Sequence, residues 1–256
     1  VREIPEHGRE AQADLSGSDA PVSARSAGQR VLDDLERMGA PNDSLTQKAY
    51  RLLEEQIVML RLEPGAVLSE SALAKQFSIG RTPIREALQR LAREGLVLIL
   101  PRRGILVSEL NVRRQLRLQE LRREVERLMA RKAARRATSE EKQAFEMIAE
   151  GMHEAARIND DIMFMRYDRQ LNLLLCHAAR NEFINSAMSL THGMSRRFSY
   201  SHYREVADLP LCARLHADVA TKVGEGDSAG AAQATDALMD YVEQFTRATL
   251  DFGTGN

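Results

Sequence analysis

The spacing of apolar residues divides the chain into a short mixed stretch and a long helical one. In the first, Ala49, Leu52, Leu53, Ile57 and Leu60 recur at helical intervals and predict a helix from Leu45 to about Leu60. Ser44 and Gln47 stand at its start as a capping-box pair. Leu73, Ala74 and Phe77 predict a short second helix. Ile84, Ala87, Leu88 and Leu91, spaced i, i+3, i+4, i+7, predict a third with one buried face. A Ser-Ile-Gly turn parts these two, with Gly80 supplying backbone freedom. Pro83 fits the first turn of the helix that follows. Gly95 ends that helix, and the apolar runs Leu96–Leu100 and Ile105–Val107 read as strands folded about Pro101-Arg102-Arg103-Gly104.

From Val112 the pattern is helical nearly to the end, with no strand signal. One long helix covers Val112–Ala137, and Thr138 with Glu141 opens the next as a capping box. Further helices are expected at Asp160–Ala179, Asn181 to about Tyr203, Leu211–Val223 and Ser228 to about Leu250. The fold class is therefore mainly α: an N-terminal winged helix-turn-helix over 44–110 and a C-terminal all-α six-helix bundle over 111–250. Such a bundle can enclose a ligand cavity. Residues 1–43 mix Gly, Ser, Pro and Ala with an excess of acids and one possible short helix, Val31–Met38. They read as a disordered or flexible arm, and 251–256 as a tail.

Charge sharpens the first domain. The chain carries a net charge of only −1. Yet Lys75, Arg81, Arg85, Arg90, Arg93, Arg102 and Arg103 face only Glu86 and Glu94 between residues 75 and 108. A local surplus of this kind suits the phosphates of DNA. Arg81, Thr82 and Arg85 lie at the N-terminal end of the third helix, from which a recognition helix reads bases or grips phosphates. The competing picture is a helical hairpin plus a β-hairpin whose arginines only face solvent. The helix at 112–137 holds ten Lys/Arg against three Glu, and the remainder of the chain is acidic. Either the two pair with each other, or the basic helix faces DNA or an anionic ligand. Cys176 and Cys212 have no metal or redox spacing, and no apolar run approaches the ~20 residues of a membrane span. With no secretory signal at the polar N-terminus, the expectation is a cytoplasmic protein with no membrane partner.

The run LxxxxLAxxFxxxRTPIREALxRLxxEGLV followed by RRGxxV, over 68–107, resembles the N-terminal domain of GntR-type bacterial transcription regulators. By that resemblance Arg81, Thr82 and Arg85 contact the operator from the recognition helix, and Arg103 and Gly104 from the wing. Gly80 stands where the family usually has Ser or Thr, and Ser71 where some members have a DNA-contacting Arg. The segments ELRREVE (120–126), DRQLNLLLCHAARNEFI (168–184) and LHADVATKVGEGDSAGAA (215–232) are similar to the all-helical FCD effector domain of the FadR-like branch. Six helices place it nearer the VanR-like subgroup.

Many members of that branch hold a divalent metal with one Asp and three His. Asp168 matches the Asp and His216 one His, while Asn172 and Leu238 occupy the places of the other two. The resemblance thus implies a degraded metal site, with binding of Zn, Ni or Mn lost and no cofactor. Arg122 matches an Arg that pairs with an effector carboxylate; bonding to Glu126 along its own helix is the competing role. Asp168, Asn172 and His216 would then hydrogen-bond the effector. The other histidines (His7, His153, His177, His192, His202) have no ligand spacing and read as surface or ordinary polar residues.

Three classes of function follow. The leading one is a ligand-responsive transcriptional regulator, a repressor, which binds a palindromic operator in double-stranded DNA as a homodimer and takes a small organic acid or acyl-type effector. The second is a metal-dependent helical enzyme with an accessory basic domain, for which no nucleophile–base pair or intact metal set is visible. The third is an architectural DNA-binding protein without effector.

Overall fold

Three short helices and a small sheet build the N-terminal domain: α2 (Leu45–Val58), β1 (Val67–Leu68), α3 (Glu70–Phe77), α4 (Arg81–Arg93), β2 (Val97–Leu100) and β3 (Gly104–Val107). The computed structural model describes residues 26–37, 44–206 and 208–252. The core of this domain is the apolar set that the periodicity marks, with Leu53, Ile57, Ile84, Ala87, Leu88 and Leu91 all fully buried. Burial of each of the larger ones stabilises the domain by about 1.5–3 kcal/mol. The sheet is antiparallel in the order β1-β3-β2. Its two-residue strand β1 is an addition to the expected hairpin, since two residues are too few to show an alternation.

Two local expectations change. Ser44 accepts the Gln47 N–H, but the Gln47 side chain accepts from Arg90 instead of reaching back, so only half of the capping box forms. In the inter-helix turn Gly80 sits at an ordinary φ of −59°, and Ser78 takes the left-handed conformation at φ 53°. Gly95, by contrast, does need its freedom, with φ 75°.

The second domain consists of α5 (Val112–Arg136), α6 (Ser139–Ile158), α7 (Asp161–Ala179), α8 (Glu182–Val206), α9 (Leu209–Glu225) and α10 (Ser228–Phe252). Thr138 and Glu141 form a complete capping box at the start of α6. Helix α5 packs on α10 and α7, and α6 on α9, around one core that includes Phe145, Met152, Leu171 and Leu174. Arg123 pairs with Asp240 at 2.7 Å and Arg127 with Asp236 at 3.7 Å, so the basic helix is tied to the acidic last helix. Among the described residues no helix is long and apolar enough to cross a membrane.

The reading of 1–43 as a flexible arm is corrected over 27–37, where the possible short helix expected at Val31–Met38 is formed and packed. Helix α1 (Ala27–Arg37) packs on α6 and α7 of the second domain. Leu32 is buried in that domain's core, and a Cβ at Gly28 would stand 2.8 Å from the Ala144 nitrogen. An apolar anchor and a close backbone approach order a segment whose composition looks loose. The rest of the arm, 1–25 and 38–43, lies outside the described residues, as do 253–256.

Helix α8 joins the two domains. Arg196 pairs with Glu54 of α2 at 3.0 Å, and Met194 packs against the N-terminal core. At Gly193 a Cβ would stand 2.6 Å from a Leu96 methyl just before β2, so a larger residue there would have to displace the buried Leu96 side chain. Arg197 donates to the Ser108 carbonyl at 2.8 Å and to its hydroxyl at 2.9 Å.

Candidate functional site

The exposed end of α4 carries Arg81, Thr82 and Arg85, while Ile84, Ala87 and Leu88 of the same helix face the core. Gly80 is the N-cap and offers no capping side chain, leaving first-turn N–H groups for an anion. Arg103 is exposed in the wing turn, and Gly104 opens β3 with φ 93°. Arg102 in the same turn is left-handed at φ 63°.

Two details escape the linear sequence. Arg85 is held by Glu70 in a forked pair, Nε to Oε1 at 3.0 Å and Nη2 to Oε2 at 2.7 Å. That hydrogen bonding holds the Glu70 carboxyl below the usual range and restrains the Arg85 guanidinium at the exposed end of α4. Arg90, counted in the basic surplus, is a structural residue. It stacks 3.6 Å over Tyr50 and donates to Glu94 at 3.0 Å. Glu94 is buried and also accepts from the Tyr50 hydroxyl at 2.8 Å.

Arg122, Asp168, Asn172, His216 and Leu238 all line one cavity between α5, α7, α9 and α10. It encloses about 460 Å³ free of atoms, counted out to its mouth. Leu171, Leu175, Met239 and Val242 supply apolar wall. Arg122 donates to Glu126 at 2.7 Å, so it both lines the cavity and bonds along its own helix. Asn172 donates its amide to Asp168 Oδ1 at 3.0 Å.

Asp168 Oδ1 lies 3.3 Å from His216 Nε2. His216 Nδ1 is 2.8 Å from the Cys212 carbonyl, which can only accept, so Nδ1 carries a proton. Nε2 faces a carboxylate and carries the second, making an imidazolium–carboxylate pair. Burial alone would push the His216 pKa down, but Cys212 and Asp168 outweigh it and hold it well above its ordinary value. Burial likewise opposes charge on Asp168, and the His216 contact overcomes it and lowers the carboxyl.

This arrangement does not fit a divalent metal. The two remaining donors face each other directly, Asn172 presents N–H groups rather than a lone pair to the carboxylate, and Leu238 has nothing to donate. Among the described residues no three His, Cys, Asp or Glu side chains come together to hold a metal ion.

His192 on α8 is more than an ordinary polar residue. Its Nε2 is buried without a hydrogen-bond partner, and burial, then repulsion from Arg122, pushes its pKa down to about 4. Nothing in its sequence spacing points to this; only the fold brings α8 beside Arg122, Glu126 and Asp168. His177 instead faces Glu141 at 3.4 Å, and His202 stacks on Phe198. His7 lies outside the described residues.

Residues 45–107 match the family described as bacterial regulatory proteins, gntR family, and residues 117–241 match the FCD domain. The chain belongs to the GntR family and carries an FCD domain. It is 25% identical over 213 residues to the HTH-type transcriptional repressor RspR of Escherichia coli K12, covering 81% of this chain and 91% of that one. An HTH-type regulator from Streptomyces ambofaciens is 44% identical over 77 residues, 30% of this chain and 33% of its own. The solved structure of E. coli McbR/YncC shares the fold at a TM-score of 0.66 and 19% identity, over 81% of this chain and 99% of that one. The families and relatives are those of transcriptional regulators, so this GntR-family chain is a regulator and not an enzyme.

Proposed function

We propose that this GntR-family protein is an effector-controlled repressor that binds a palindromic operator as a homodimer and releases it when an organic acid enters the helical domain. The observation that carries the reading is the convergence of Arg122, Asp168, Asn172 and His216 on one cavity with an apolar wall. A guanidinium with polar neighbours suits a carboxylate, and Leu238 beside Met239 and Val242 suits an apolar body longer than a small hydroxy acid. Arg122 already shares its charge with Glu126, so an incoming carboxylate has to compete with that pair. Differential affinity of the effector for two placements of the winged domains would shift operator occupancy. Homodimer formation draws support from Phe183 and Leu190, one heptad apart on α8 and both exposed.

The test is a thermal-shift screen of carboxylic acids and acyl compounds, with and without divalent metal, followed by operator titration with any compound that stabilises the protein. The expected hit stabilises without metal, weakens operator binding, and loses its effect in Arg122→Ala. If no compound acts, or its effect survives Arg122→Ala, the cavity is not the control site and the bundle serves only to dimerise. Metal independence has its own check. Near-stoichiometric Zn, Ni or Mn in protein purified without added metal or chelator would overturn it.

A further inference from the structure

We propose that the joint between the two domains holds a binding site for a small oxyanion of phosphate or sulfate size, separate from the effector cavity. The joint carries a second, half-open cavity between Glu109 and Asn111, the first turns of α5, and α8, with about 290 Å³ of atom-free space including the open solvent at its mouth. It shares no lining residue with the first.

Arg197 stands in its wall and is only 3% exposed. Its two terminal nitrogens donate to the carbonyl and hydroxyl of Ser108, both uncharged acceptors. Its Nε is buried with no hydrogen-bond partner. Among the described residues no carboxylate makes an ion pair with Arg197 or with Arg114, the second guanidinium lining this cavity. Burial, and then repulsion from Arg114, pushes the Arg197 pKa down to about 10 against a smaller opposing pull from Glu109. A buried guanidinium with no ion-paired carboxylate is costly, and native proteins compensate one with an anion or a full set of acceptors.

The surroundings favour an anion over any other occupant. The single carboxylate in the lining, Glu109, is exposed and is outnumbered by the two arginines. The N-terminus of α5, a helix of 25 residues, adds its positive end at Asn111. Arg114 of α5 and Arg197 of α8 line the cavity from different helices, so the several acceptor oxygens of an oxyanion can be shared between them. Since Arg197 also holds Ser108 at the end of the winged domain, an oxyanion here would tie α5, α8 and the wing together and stiffen the joint.

The experiment uses the full chain without DNA, titrated with inorganic phosphate or sulfate against chloride at matched pH and ionic strength, and read by thermal unfolding and by phosphorus NMR line broadening. Both oxyanions should raise the melting temperature saturably, by about 2 °C or more. Arg114→Gln, at an exposed position that tolerates change, should weaken the midpoint about tenfold or more. Arg113→Gln, which removes the same charge from the neighbouring position, should change it less than about twofold. A response no greater than that to chloride would overturn the proposal. So would a midpoint unchanged in Arg114→Gln, which would assign the anion to the DNA-reading arginines.

Discussion

The two domains of this chain handle charge in opposite ways. In the winged domain the cations that matter are outside: Arg81, Arg85 and Arg103 stand exposed over an apolar core, and Glu70 holds one of them in position. In the helical domain the important charges are inside and already matched, Arg122 with Glu126 and His216 with Asp168. A surface array meets a polyanion without desolvating anything beforehand. A buried array is costly unless satisfied, so the proposed effector would have to improve on the existing pairs. Under the proposed function the same residue types would serve a permanent reader in one domain and a conditional sensor in the other.

This contrast can be broken at four places. The largest effect is expected from Arg81→Ala combined with Arg85→Ala. Each arginine that reads a guanine edge is worth about 1–3 kcal/mol, so with both removed operator affinity by fluorescence anisotropy should fall by about 30-fold or more, with thermal stability nearly unchanged. Wild-type-like binding would remove α4 as the reading helix.

The buried side is tested by acid. The His192 pKa is about 4 in the folded chain and near its ordinary 6.5 when unfolded, so the unfolded state takes up the proton first as pH falls. Stability is then complete above pH 6.5 and declines toward pH 4, by roughly 3 kcal/mol from this group. Urea midpoints of wild type and His192→Gln should converge as pH falls through that window; parallel curves would place His192 in solvent. Leu32→Ala comes next, at about 2–3 kcal/mol in urea unfolding, if α1 is an integral part of the helical domain. An unchanged midpoint would return α1 to the status of an arm. The smallest effect belongs to Gly80→Ser. A Cβ there meets only Pro83 at 3.6 Å, and the new hydroxyl caps α4, for a few tenths of a kcal/mol and a modest gain in operator affinity.

The winged domain was legible because its candidate DNA-contacting residues are local. Arg81, Thr82 and Arg85 share one helix whose buried face is visible in the spacing of Ile84, Ala87, Leu88 and Leu91. Two features there stayed hidden, the forked Glu70–Arg85 pair and the structural use of Arg90, because both cross between elements. In the helical domain, periodicity located α5 to α10, but the cavity residues come from α5, α7, α9 and α10. Only the family resemblance placed Asp168 beside His216 ahead of the fold. His192 and Arg197 had no such guide: each is an unremarkable polar residue on α8 until its neighbours close over it.

By itself the sequence determined the helices, their caps, the winged layout and the exposed arginines, since these follow from periodicities and side-chain chemistry within a few residues. Tertiary structure alone decided that α1 belongs to the second domain, that α8 bridges the two, and which polar groups lie buried without a partner. Those outcomes depend on packing between residues far apart in the chain, and burial is what converts an ordinary histidine or arginine into one whose charge must be answered.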